Sequence, residues 1–192
     1  MDKRILKTKR NIKQTLINLL KEKCFEEISV KELCERAETS RITFYTHFSD
    51  KTELANNIIE DAISDARAEF YRLQGENNKD GDIVTEYMNI LNCIFNTYYD
   101  NYDFFSNADE NHSPTLSSLC SKFINENIGR KIDKDKQRLN LRYTPLMTCK
   151  FLSSGIRGFI GACREEGLSR DEVRLYTQEL FKKLLESDVI RK

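Results

Sequence analysis

The chain of 192 residues is predicted to be all-α, on three observations. Apolar residues recur at helical spacing almost from end to end, with no alternating strand pattern. Gly and Pro number only 7 and 2, too few for the turns of a sandwich or barrel. Polar breaks, several followed by a Ser, Thr or Asp and then a helical run, divide the chain into segments of helix length.

The elements follow in order. A first helix spans about Lys3 to Lys21, with Ile5, Ile12, Leu16, Leu19 and Leu20 on one stripe. Cys24, Phe25 and Ile28 form an apolar connector. Ser29-Val30-Lys31-Glu32 reads as a capping box for a short second helix that buries Val30, Leu33, Cys34 and Ala37. Glu38-Thr39 is a break, and Ser40 caps a third helix from Arg41 to Phe48. Ser49 or Asp50 caps a fourth, reaching about Leu73, and the stretch QGENNKDGD from Gln74 to Asp82 is the main loop. A fifth helix covers about Ile83 to Tyr99, and residues 101–113 read as irregular. Ser113-Pro114 opens a sixth helix with Leu116, Leu119, Cys120, Phe123 and Ile128 on its stripe. A charged connector from Gly129 to Lys136 and a short helix to Leu141 come next. Thr144-Pro145 opens a long helix to about Glu166 with Gly167 after it, and a second capping box, Ser169 to Glu172, starts the last.

The formal charge is zero, but it is unevenly spread. Residues 1–52 hold twelve basic and eight acidic side chains, a net of +4, and the remainder carries −4; six of the basic groups fall within the first 13 residues. Such separation suits a chain of which one part meets a polyanion, and equally a solvated basic helix face. No apolar run is long enough to span a membrane, so a cytoplasmic, non-membrane protein is expected. The six cysteines show no metal-ligand or CxxC spacing. His47 and His112 are far apart, and no nucleophile elbow, phosphate loop or zinc helix occurs, so no enzyme, metal or cofactor is expected.

Two short helices joined by a tight turn behind a longer one form a helix-turn-helix pattern. In the third helix, Phe44 and Phe48 are spaced i, i+4 and can enter the core together, leaving Arg41, Thr43, Tyr45, Thr46 and His47 outward. Ile42 with Tyr45 could equally be the buried pair. Arg41 lies in the first turn, where it can donate two hydrogen bonds to a guanine edge. Lys51 starts the next helix, where its charge could hold a phosphate.

Residues 4–60 resemble the N-terminal domain of the TetR/AcrR family of bacterial transcriptional repressors. The likeness runs through the first stripe, Phe25 to Cys34, Ala37, Ser40 and Thr43-Phe44-Tyr45-Thr46-His47-Phe48-Ser49-Asp50-Lys51, then Leu54. It implies that Phe44 and Phe48 are buried, that Tyr45, His47 and Lys51 contact phosphates, and that residues 41–43 and 46 meet bases. The full set expected at DNA is Lys3, Arg4, Ser29, Val30, Ser40, Arg41, Ile42, Thr43, Tyr45, Thr46, His47 and Lys51. The family usually places Gly-Val before the serine, whereas this chain has Glu38-Thr39; a non-glycine residue in a left-handed turn costs about 1–2 kcal/mol.

The resemblance implies a reading domain over residues 1–50, joined by a long helix to a regulatory and dimerisation domain over 51–192. Small residues at Ser154, Gly158 and Ala162 let helices approach closely, and the expected interface between two copies comprises Gly158, Phe159, Ala162, Tyr176, Leu180, Phe181 and Leu184. One short recognition helix makes few contacts, and two-fold symmetry doubles them over a palindromic site. Tyr87, Leu91, Phe95, Tyr98, Tyr99, Phe104, Phe105 and Phe151 are the candidates for a pocket taking a small apolar or aromatic ligand, against the alternative that each is core. The expected function is a DNA-binding regulator, a repressor released by a ligand. Two alternatives are a thiol switch among Cys93, Cys120, Cys149 and Cys163, and a helical interaction module without DNA binding.

Overall fold

In the computed structural model, residues 3–192 are described. Among them the chain forms nine α-helices: α1 (Lys3–Leu20), α2 (Val30–Arg36), α3 (Arg41–His47), α4 (Lys51–Asn77), α5 (Ile83–Asp100), α6 (Tyr102–Phe105), α7 (Pro114–Asp135), α8 (Pro145–Glu165) and α9 (Arg170–Glu186). A 3₁₀ turn, Phe25–Glu27, stands between α1 and α2. The described residues contain no strand, only an isolated antiparallel bridge between Leu141 and Arg191.

The caps sit where the sequence places them. Ser29, Ser40, Thr144 and Ser169 each accept the backbone N–H three residues on. The capping box at Ser169 is complete, with Glu172 reaching back. At Ser29, Glu32 pairs instead with Lys23 at 2.7 Å. Asp50 caps α4 by accepting the Glu53 amide at 2.8 Å, and Glu53 accepts the Ser49 amide.

Four expected boundaries are corrected. α4 continues to Asn77, because Gly75 and Glu76 lie within the helix and the loop shrinks to the turn closed by Gly81 (φ +70°). The stretch 101–113 contains the short helix α6, which buries Phe104. α7 runs straight through Gly129 to Asp135, where buried Ile132 and Asp135 hold its last turns. The segment 136–141 is a turn rather than a helix, with Asn140 at φ +50°.

The chain packs as two units, one of residues 3–65 with 97–121, the other of residues 66–96 with 122–192. This division falls inside α4 rather than at residue 50. In the first unit, Ile12, Leu16, Leu19 and Leu20 of α1 share a core with Phe25, Leu33, Phe44, Phe48, Leu54, Ile58, Phe104 and Leu116. Ile5 lies beyond that core and is exposed. In the second unit, Leu152 and Cys163 of α8 and Val173, Phe181 and Leu185 of α9 are buried with Leu91, Phe95 and Ile132. The α5–α7 edge of this unit carries a polar network in which Tyr87 donates to Asp135 at 3.3 Å, while Lys131 and Arg138 each bond both Glu86 and Asp135.

Candidate nucleic-acid interface

α3 exposes one face because the other is fully spent. Phe44 and Phe48 are buried, with ring centroids 5.8 Å apart. Burying one such ring stabilises by about 1.5–3 kcal/mol. That settles which pair enters the core: Ile42 is 82% exposed and Tyr45 is 56% exposed, its ring meeting Phe44 edge-on. Arg41 and Thr46 are exposed, and Thr43 and His47 are half-buried.

The turn before α3 closes by hydrogen bonds that α2 and α1 supply. The Thr39 amide donates to Cys34 O at 3.0 Å and the Glu38 amide to Glu35 O at 3.3 Å. Glu38 takes φ +49°, so a glutamate occupies the left-handed position that glycine usually fills. Asn11 of α1 donates to Ala37 O at 2.7 Å and fixes the end of α2 against α1.

Three hydroxyls at the outward face are bound locally. Ser40 Oγ accepts the Thr43 amide at 3.0 Å and lies 2.8 Å from Thr43 Oγ1. Thr46 Oγ1 donates back to Ile42 O at 2.8 Å. Ser29 is exposed and Val30 half-buried at the start of α2. Lys3, Arg4, Lys7 and Arg10 are exposed along the first turns of α1.

Lys51 differs from its expected place at a phosphate. Its Nζ donates to Phe25 O, Glu26 O and Ile28 O at 2.7, 2.9 and 2.7 Å, and lies 4.8 Å from the Phe25 ring centroid. All three ammonium protons are thereby engaged in closing the 3₁₀ turn onto the start of α4. Burial lowers its pKa, which the nearby Glu26 carboxylate opposes. The same turn is held from its other side: the Phe25 amide donates to the buried Ser113 Oγ at 3.0 Å, and Glu26 accepts the Thr115 amide at 2.9 Å. Neither role has a sequence signature, because both depend on groups 23 to 89 positions apart.

The candidate ligand residues divide between the two units. Tyr87, Leu91 and Phe95 are buried in the second, and Phe104 is buried in the first, where Tyr98, Tyr99 and Phe105 are half-buried. Burial and the Asp135 carboxylate raise the pKa of the Tyr87 phenol, whose hydroxyl is already committed to that partner. Phe151 is 54% exposed, so it is a surface residue rather than a pocket wall. A cleft of about 280 Å³ in the first unit is lined by Gln14, Ile17 and residues 99–104, and it includes only Tyr99 and Phe104 of the expected set.

The expected contacts between copies are also sorted by burial. Phe181 is 6% exposed and belongs to the core of its own unit, so it is unavailable to a partner. Phe159, Leu180 and Leu184 are half-buried, and Gly158, Ala162 and Tyr176 are exposed. Outside the expected set, Leu146 and Met147 of α8 and Leu175 of α9 are all at least half exposed. A Cβ placed on Gly155, Gly158 or Gly161 would meet nothing within 4 Å, so nothing inside the protomer calls for glycine there. Cys93, Cys149 and Cys163 are buried, and Cys120 is half-buried. Burial pushes the Cys93 thiol up to about 11 and raises the pKa of Cys149, the reverse of what a reactive thiolate needs.

These features define a helix-turn-helix protein with an all-helical remainder. Residues 14–58, which carry the helix-turn-helix, match the model of the bacterial regulatory proteins of the tetR family. Over 50 residues, 26% of this chain, it is 36% identical to the uncharacterized HTH-type transcriptional regulator YxbF of Bacillus subtilis (strain 168), and that match spans 13% of the relative's length. A solved structure assigned to the TetR-family transcriptional regulators, from Syntrophomonas wolfei str. Goettingen, superposes with a TM-score of 0.78 at 15% identity, covering 95% of this chain and 97% of that one. A second so assigned, from Shewanella sp. PV-4, gives 0.62 at 16% identity, with 92% and 97% covered. A protein of unknown function from Rhodococcus sp. RHA1 gives 0.57 at 13% identity, with 94% and 96% covered. At these identities the solved structures speak for the fold. No helix among the described residues is long and apolar enough to cross a membrane.

Proposed function

We propose that the protein is a sequence-specific, cytoplasmic DNA-binding regulator that reads a palindromic operator as a homodimer and is released from it by a small apolar or aromatic ligand, as a repressor. The observation that carries the reading is the division of α3, which buries Phe44 and Phe48 and presents Arg41, Ile42, Tyr45 and Thr46 on one open face. In the major groove, Arg41 would read a base edge, while Tyr45, His47 and the basic start of α1, including Lys3 and Arg4, would position the domain on phosphates. Residues 1–50 serve as the reading domain and 51–192 as the regulatory half.

Dimerisation is supported by the exposed apolar face of α8 and α9. Leu146, Met147 and Phe151 of α8 and Leu175 and Tyr176 of α9 are exposed, as are Gly158 and Ala162 of α8. Exposed apolar side chains on two helices that pack together suit a self-complementary contact. Release by a ligand requires that the ligand bind the free shape more tightly than the DNA-bound one.

The test is selection of duplexes from a random pool by the full chain. A palindromic sequence with half-sites one helical turn apart, or a multiple of it, is expected; a pool that stays random overturns the proposal. Within the selected operator, Arg41→Ala is expected to cost about 1–3 kcal/mol and relax one position. Equal loss on random DNA would remove its base-reading role.

A further inference from the structure

The aliphatic hydroxyls at the outward face of α3 are engaged locally, leaving Arg41, Tyr45 and His47 as its polar groups. Ser40 and Thr43 hydroxyls lie against each other, and the Thr46 hydroxyl is turned back to the Ile42 carbonyl. What Thr46 still presents is its methyl group, one helical turn from Ile42 on the same side. Ile42 stands between Arg41 and the exposed Tyr45 with 82% of its surface in water. An isolated exposed aliphatic residue is ordinary on a protein surface. Here it occupies the middle of the reading face, and the hydroxyls flanking it in sequence are already engaged.

In the major groove each base edge offers hydrogen-bond donors or acceptors, and thymine alone adds an apolar group, its C5 methyl. From this geometry we infer that Ile42, with the Thr46 methyl beside it, is a specificity-determining residue that reads a thymine methyl in each half-site. The inference rests on the DNA-binding reading above and adds the identity of a base to it. Arg41 then sets one position by hydrogen bonding, and Ile42 sets a neighbouring one by apolar contact. The Thr46 hydroxyl has a positioning role, since its bond to Ile42 O holds its own methyl outward.

The experiment replaces each thymine of the selected operator in turn by uracil, which exchanges only the methyl for hydrogen. Affinity is measured at one fixed salt concentration, because the phosphate contribution varies steeply with salt. At one position per half-site, uracil is expected to weaken wild-type binding about fourfold, the transfer value of one buried carbon, and about fifteenfold when both half-sites carry it. Ile42→Ala should bind thymine and uracil duplexes within about twofold of each other, while Ile42→Val keeps most of the discrimination. Ile42→Gln should move the preference at that position from thymine toward adenine. The exposure of Ile42 leaves the core untouched in all three variants, which circular dichroism checks. A selected operator without thymine at these positions, uracil duplexes that bind like thymine ones, or an unchanged uracil penalty in Ile42→Ala would each overturn the inference. The last result would assign the methyl's effect to the shape of the DNA. A pool with no enriched sequence would instead strike the DNA-binding reading itself.

Discussion

Glu38 is where the chain departs from the glycine usual before the recognition helix, and the departure can be weighed. Its φ of +49° brings Cβ toward the following carbonyl oxygen, at a cost of about 1–2 kcal/mol for an L-residue. Glu38→Gly removes that cost but returns about 0.4–1 kcal/mol through the larger entropy of the unfolded chain. The net expectation is a gain of about 0.5–1 kcal/mol, or about 1–4 °C in Tm for a chain of this length. Glu38→Ala supplies the control: it deletes the same carboxylate and keeps Cβ, so the backbone cost persists and no comparable gain is expected. The assay is thermal and urea unfolding of the three proteins followed by circular dichroism. If the glycine and alanine variants melt together, the left-handed turn is not strained and the account of it fails. DNA affinity in the same series separates charge from backbone. Both substitutions remove an anion three positions ahead of Arg41 and should tighten binding alike, whereas a gain confined to glycine would point to the turn's geometry.

Lys51→Met should lower stability by about 2–4 kcal/mol, since three carbonyls lose a charged donor; an unchanged melt with a salt slope reduced by about one would restore the phosphate role instead. Phe151→Lys or Leu146→Lys should yield folded monomers with weakened operator binding, read by sedimentation, and a dimer in both variants would exclude this face as the interface. Phe181→Lys should unfold the second unit, because it places a charge in its core; retention of a native melt would contradict its burial. The hydroxyl and amide of Ser169 lower the pKa of Glu172 below the ordinary carboxylate value of 4.5. Its capping contribution is therefore full above pH about 4.5 and disappears as pH falls through the lowered value. The Tm difference between wild type and Glu172→Gln should shrink across that window, and a constant difference would mean the cap does not depend on charge.

How much of this was legible in the sequence depended on the range over which each group finds its partner. Caps are local, so Ser40, Thr144 and Ser169 could be read from residues three positions away. The burial of Phe44 and Phe48 was not decided by spacing, because Ile42 and Tyr45 satisfy the same periodicity; only packing against α1 and α2 separates the pairs. Lys51 looked like a free cation at a helix start, and nothing nearby in sequence announces that Phe25, Glu26 and Ile28 turn their carbonyls toward it. Gly129 suggested a break, yet α7 passes through it because the buried side chains beyond repay the glycine's cost of about 1 kcal/mol.

The exposure of Phe151 and the burial of Phe181, the reverse of the sequence expectation, have a common cause. A helix that packs on its own chain and also on another copy carries two apolar faces, and their periodicities merge into one broad stripe. On α8, Thr148, Cys149, Leu152 and Cys163 turn inward while Leu146, Met147 and Phe151 turn outward, so hydrophobicity alone cannot say which aromatic faces which side. The glycines add what the aromatic residues withhold. A Cβ on Gly155, Gly158 or Gly161 would meet no neighbour within the protomer, and a helix gains nothing in stability from three glycines in seven residues without close approach elsewhere. The cost they impose on α8 is about 2–3 kcal/mol relative to alanine, and the proposed contact between two copies would recover it at a surface outside the chain. Replacing Gly158 by Ala should stabilise the isolated protomer by about 1 kcal/mol while weakening association. A variant that strengthens both would show that this face is not where two copies meet.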